Sequence, residues 1–146
     1  MSGYASFGSD EEVAAIGCGL VARTLPKAEW THRAHFAAAL WLMEESVEGE
    51  AERMLPGLIR AYNEATGTAN TETSGYHETI TRASLRAARA FRAERAEMPL
   101  YAVCNALMAS RLGRSDWVFA YWSRERLFSG EARRGWVEPD VGELPF

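Results

Sequence analysis

The side chains best suited to chemistry in this chain are its three histidines, His32, His35 and His77. His32 and His35 stand three residues apart in AEWTHRAHFAAALWLM, Ala28 to Met43. On an α-helix that spacing separates two side chains by about 60° in projection, so both imidazoles can address one point. His77, on a later segment, would complete a three-histidine centre with one position open to water or substrate, the pattern of a catalytic zinc site. Glu29, Glu64 and Glu78 are near enough to mix into that shell and admit iron or manganese instead. The metal expected on these grounds is a divalent transition ion, Zn, Fe or Mn, on His32, His35 and His77. The alternative is that each imidazole satisfies a buried hydrogen bond, His35 to a backbone carbonyl and His77 as a partial helix cap.

The loop Thr68 to Gly75, TANTETSG, is a second locus. Its Thr, Asn and Ser residues favour turns and caps. Where such a loop feeds a helix, unpaired N–H groups and the positive end of the helix dipole suit an anion. The same dipole favours a neutral His77 fit for general-base work, with Glu78 as the second catalytic candidate. Asn70, Thr71, Thr73 and Tyr76 would bind the ligand, and Thr81 and Ser84 would line the stripe below. The competing reading is a capped connection that binds nothing, because the loop lacks a GxxxxGK[ST] arrangement. With no Gly-x-Ser-x-Gly and no CxxC, nucleophilic catalysis by serine or cysteine has no support.

Helices must position these residues. No segment alternates β-branched and polar residues, and alanine is abundant throughout, so the expected fold is all-α: a bundle of about four main helices with short additions and an irregular C-terminal arm over 136–146. Ser9 with Glu12 reads as a capping box for a first helix with Val13, Ile16, Gly17 and Leu20 inward. The second helix, from between Lys27 and Thr31 to Met43, is apolar on nearly every face and should be interior. A third runs over 48–66, with Met54 among its inward residues, and Pro56 must kink or split it. Thr73 or Ser74 should cap a fourth over 76–95, whose inward stripe is His77, Ile80, Thr81, Ser84, Ala88 and Phe91. A fifth starts at Pro99, and a sixth, aromatic-rich, covers 116–128. Trp136 and Phe146 should pin the arm.

At 146 residues, 47% of them hydrophobic and 25% charged, the chain can bury one core, so a single domain over 1–146 is expected. A net charge of -4 argues against a nucleic-acid partner. No apolar run approaches the roughly 20 residues that cross a bilayer, and the N-terminus does not read as a signal peptide. Cys18 and Cys104 lie far apart in apolar patterns and read as reduced core thiols, which together point to the cytoplasm. Arg82, Arg86 and Arg89 read first as a solvated face and second as a partner-docking face. Trp117, Phe119, Tyr121 and Trp122 suit a core or a homodimer interface.

The strings LPKAEWTHRAH, IRAYNEATGTANTETSGYHETIT and YWSRERLFSGEARRGWVEPD resemble those of an uncharacterised family of small bacterial helical proteins. They hold all three histidines with their neighbours Asn63, Glu64, Asn70, Thr71 and Tyr76. A helical bundle with three inward histidines is also remotely similar in architecture to the DinB-like metal-binding bundles, although the pair here is His32-x-x-His35 and not spaced by four. That similarity implies metal-dependent chemistry of the transferase or isomerase kind. Two functions are thus expected. One is a metal-activated water or histidine base acting on a small anionic substrate, as in hydrolases, transferases and isomerases. The other is a non-enzymatic ligand-binding or protein-interaction module whose histidines are structural.

Overall fold

Capping side chains set where the helices begin. A computed structural model of the chain describes residues 6–146. In it Ser9 accepts a hydrogen bond from the Glu12 N–H and starts α1, Asp10–Ala22. The Glu12 carboxylate turns back to the N–H of Gly8, one residue before the expected box partner. A 3-10 turn, Lys27–Glu29, then intervenes, and Thr31 accepts from the Ala34 N–H to start α2, His32–Glu45. α3, Glu50–Ala65, runs unbroken through Pro56, whose missing N–H deprives only the Glu52 carbonyl of a helical partner. On α3 Ile59 is buried, whereas Met54, expected inward, is exposed. α4 spans Glu78–Ala93 and α5 spans Leu100–Ala109. Among the described residues there are seven α-helices and no strand, so the all-α reading holds.

The second helix is the hub. α2 packs against α1, α3, α4 and α5, with Ala34, Phe36, Ala37, Ala38, Ala39, Leu40 and Leu42 buried. Its alanines are what allow four helices to approach it at once, because a short side chain brings the axes closer. The approach to α1 is tightest at Gly17, where an added Cβ would stand 2.2 Å from the indole of Trp41. Two polar contacts close the ends of the bundle. The Asp10 carboxylate accepts from the Tyr101 N–H at 2.9 Å, so α1 caps α5. Asn105 holds Phe7 through both backbone groups, N–H to Oδ1 at 2.8 Å and Nδ2 to carbonyl at 2.9 Å. Asn105→Ala removes both bonds and is expected to lower the unfolding free energy by about 1–2 kcal/mol in urea denaturation.

The C-terminal third departs from the expected single helix over 116–128. Trp117–Ala120 forms a 3-10 turn, Ser123 caps α6, Arg124–Leu127, and Ser129 caps α7, Gly130–Arg134. The reason is angular: residues five apart on one straight helix are rotated by about 140°. Trp117, Trp122 and Leu127 could therefore not all face the core from one helix, yet all three are buried. The indole of Trp122 donates to the Val137 carbonyl at 3.0 Å. The arm lies where expected, with Trp136 edge-on to Trp122 at 5.6 Å and Phe146 against Trp117 at 6.0 Å. Trp117, Tyr121 and Trp122 thus serve this chain's own core.

Cys104 is buried, and burial pushes its thiol up to about 12. Cys18, expected in the core, is exposed instead, because it lies a step of about 100° round α1 from buried Gly17. No helix among the described residues is long and apolar enough to cross a membrane.

Candidate functional site

The three histidines do not converge. His32 Nε2 donates to the Leu112 carbonyl at 2.7 Å. His35 Nδ1 donates to the Thr31 carbonyl at 2.7 Å, one turn before it, and its ring stacks on Trp30 with centroids 3.8 Å apart. Desolvation against that packing lowers the His35 pKa. The Thr31 bond opposes the shift and neighbouring His32 adds to it. His77 faces a third carbonyl, that of Leu127, at 2.7 Å. The expected metal set His32, His35 and His77 is therefore corrected, and with it the Zn, Fe or Mn shell. Among the described residues no group of three or more His, Cys, Asp or Glu side chains is placed to hold a metal ion. The spacing of His32 and His35 was right for convergence, and each still has a second ring nitrogen, but His77 spends both of its nitrogens, on the Ile80 N–H and the Leu127 carbonyl, so the third ligand is missing.

His77 is the cap of α4, a role expected of Thr73 or Ser74. Its backbone is extended, φ -132° and ψ 109°, and its Nδ1 accepts from the Ile80 N–H at 3.2 Å. The Ile80 amide can only donate and the Leu127 carbonyl can only accept, so the ring is the neutral tautomer protonated on Nε2. Both nitrogens are used and neither is left for a metal or a proton transfer, which corrects the catalytic role expected of His77. Burial holds its pKa below the usual 6.5, and nearby Arg133 pushes in the same direction against the Leu127 bond.

Glu78 follows at the first helical position, where it accepts from the Tyr76 hydroxyl at 2.6 Å and lies 4.0 Å from Arg82. Tyr76 is buried, and its hydroxyl is pushed well up by burial first and by Glu78 second, so it stays a donor. Thr81 lies beside the same hydroxyl, and the Arg60 guanidinium covers the ring at 4.3 Å. Tyr76, Glu78 and Thr81 are thus brought together. Ser84, half-buried further along α4, is outside this group.

The polar loop spends its donors on itself. Asn70 Oδ1 accepts from Asn63 Nδ2 and from the Tyr76 N–H, each at 3.0 Å, and Asn70 Nδ2 donates to the Arg60 carbonyl. Thr71 Oγ1 accepts from the N–H groups of Thr73 and Ser74. Gly75 adopts φ +78°, and a Cβ there would stand 2.5 Å from the Ala69 carbonyl oxygen, so the turn requires glycine. With the Ile80 amide taken by His77 as well, these donors are engaged within the chain. Asn70 and Thr71, expected to bind a ligand, hold the loop in shape, and the Thr73 hydroxyl lies 3.4 Å from that of Thr71.

Thr79 was missed. It is fully buried. Its hydroxyl donates toward the carbonyls of Ala132 and Gly135 at 2.7 and 2.8 Å and accepts from the Val137 N–H at 3.2 Å. With His77 it fastens the start of α4 to α6, α7 and the arm. Thr79, Ala83 and Ala87 repeat every four residues and are all buried, and this run of small residues was the available signal for the true inward face. Beside them, Arg133 donates to the Gly75 carbonyl at 2.9 Å while its buried Nε has no partner.

Outside this knot, a groove of about 400 Å³ runs between α3 and α4, lined by Glu52, Arg53, Glu78, Arg82, Leu85 and Arg86. Glu52 is ion-paired with Arg89, and Glu78 is engaged by Tyr76. Arg82 and Arg86 flank the indole of Trp136 at 5.3 and 5.4 Å. Fold and site together define an all-α protein in which His32 and His77 tie distant segments together, Asn70 ties the polar loop to α3, and the α3/α4 groove is lined by three arginines. No family model matches the chain, and neither does a curated protein or a solved structure.

Proposed function

We propose that this protein is a non-enzymatic interaction module whose histidines are structural, and that its α3/α4 groove receives an acidic segment of a partner. The observation that carries this reading is His77, which has one ring nitrogen on the Ile80 amide and the other on the Leu127 carbonyl. The groove favours an acidic occupant because it gathers three guanidinium groups, those of Arg53, Arg82 and Arg86, against two carboxylates that already have partners, Glu52 with Arg89 and Glu78 with Tyr76 and Arg82. Arg82 and Arg86, the latter also donating to Phe146, keep further N–H groups suited to carboxylates. Buried Leu85 supplies an apolar floor. A reducing compartment such as the cytoplasm goes with this reading, supported by the free thiols Cys18 and Cys104.

The test is fluorescence anisotropy with a labelled peptide of alternating Glu and Leu. Binding is expected to weaken by about tenfold in Arg53→Ala and in Arg82→Ala, and to fall as ionic strength rises. Elemental analysis of untagged protein after metal supplementation is the second arm. A stoichiometric transition metal, together with no peptide binding, would overturn the module and restore metal-dependent hydrolase, transferase or isomerase chemistry on a small anion.

A further inference from the structure

We infer that residues 138–146 form a displaceable strap, and that an extended acidic partner segment bearing an aromatic side chain takes its place on the surface beneath. This rests on the interaction-module reading for the existence of a partner, but concerns the surface under the strap, which adjoins the α3/α4 groove only at Arg86.

The strap is held weakly. Beyond Val137 none of its residues is buried. The Asp140 carboxylate accepts from the Ser123 N–H at 2.8 Å and from the Ser123 hydroxyl at 2.6 Å. Arg126 donates to the Glu138 carbonyl at 2.7 Å, the Val141 N–H to the Tyr121 carbonyl at 2.9 Å, and Arg86 to the Phe146 main-chain oxygen at 2.6 Å. These bonds sit at or near the surface, where water can replace each at small net cost. A segment with few buried contacts opens at a fraction of the global unfolding free energy.

What the strap covers is of another kind. Trp117 is 5% exposed and Tyr121 7%, and the Phe146 ring lies 6.0 and 6.4 Å from them. Arg111 sits 5.4 Å from the Tyr121 ring. Lifting the strap would uncover Trp117 and Tyr121 beside Arg86 and Arg111, which are already exposed, and Trp, Tyr and Arg are the residue types that dominate binding hot spots. The strap does not fill this surface: a recess of about 260 Å³ lies between Phe91, Arg111 and Phe146, whereas one of about 470 Å³ is lined by the strap's own residues 138–144 and Arg86.

The strap itself states the chemistry of its replacement. It carries Glu138, Asp140 and Glu143, of which Asp140 is held by Ser123 close to Arg126 and Glu138 accepts from the Trp136 indole, and its Phe146 ring sits against Trp117 and Tyr121. A partner segment with carboxylates and an aromatic side chain in the same order would meet the same groups, and intramolecular docking would set the concentration at which it competes.

The test uses the full chain and a labelled synthetic copy of the strap, EPDVGELPF. The wild type should bind the peptide weakly. Asp140→Asn, which weakens the anchor on Ser123 while leaving the covered surface intact, should bind it about tenfold more tightly. Arg111→Ala should lose that gain, and Arg53→Ala should leave it unchanged, separating this surface from the α3/α4 groove. Hydrogen exchange in the wild type gives an independent readout: the amides of Val141 and Gly142 should exchange at least about a hundredfold faster than that of Val103 in α5. Exchange of Val141 and Gly142 at the Val103 rate overturns the inference, as does peptide binding no tighter in Asp140→Asn than in the wild type. If the Glu/Leu peptide fails while the strap peptide behaves as described, the groove reading falls and the strap inference stands.

Discussion

Replacing His77 by alanine is expected to lower the unfolding free energy by about 3 kcal/mol, summing a lost helix cap, a lost bond to the Leu127 carbonyl and the cavity left by a buried ring. The loss should exceed that of an ordinary cap because one side chain joins two elements, the start of α4 and the end of α6. His77→Asn separates the parts. Asparagine is among the best caps but is too short to reach Leu127, so about 1 kcal/mol should return and the rest should not. Urea denaturation of the three proteins measures this, and equal stabilities would remove the structural role assigned to His77.

The same residue sets a pH dependence. Its folded-state pKa lies below the unfolded value of 6.5, so its contribution is complete above about 6.5, where both states hold a neutral ring. As pH falls from there, the unfolded chain takes up its proton first. Stability should decline through the window down to the lowered folded-state value, with a slope of at most ~1.4 kcal/mol per pH unit from this group. His35, also shifted down, adds a contribution of the same sign, screened by its exposure. The slope should therefore be reduced in His77→Asn without vanishing.

Gly17→Ala is expected to destabilise by about 2 kcal/mol, against the usual sign of such a change. Alanine for glycine inside a helix ordinarily gains up to about 1 kcal/mol. Here the new Cβ would lie 2.2 and 2.3 Å from Cε3 and Cδ2 of Trp41, the middle of the indole and not a flexible tip, so α1 and α2 must separate. The steric cost, about 3 kcal/mol at the upper end of overpacking, exceeds the gain in propensity. The double variant Gly17→Ala/Trp41→Leu removes the obstacle and should be more stable than Gly17→Ala alone, a coupling that thermal or urea unfolding of the four proteins reads directly. Additive effects would mean that the two side chains do not meet.

The sequence by itself determined the helical class, the interior position of α2, the serine cap of α1, the C-terminal arm and its two aromatic pins. Each of these rests on local information: periodicity, capping residues within three positions, and an apolar run that only a core accommodates. It also drew attention to the right stretch, since Asn70, Tyr76, His77 and Glu78 all sit at the joint where α4 meets the C-terminal third. What these residues do there was decided by tertiary structure alone. His32, His35 and His77 have spacings and faces that would serve a metal, but each ring finds a carbonyl, and for His32 and His77 that carbonyl is 80 and 50 residues away. Thr79 drew no attention in the sequence, because the carbonyls of Ala132 and Gly135 that it meets lie 53 and 56 residues later. A polar side chain carries in its sequence the capacity to bind, whereas its partner is whichever acceptor the packed chain delivers first. Burial makes that pairing nearly obligatory, which is why buried His77 became a joint between the start of α4 and the end of α6.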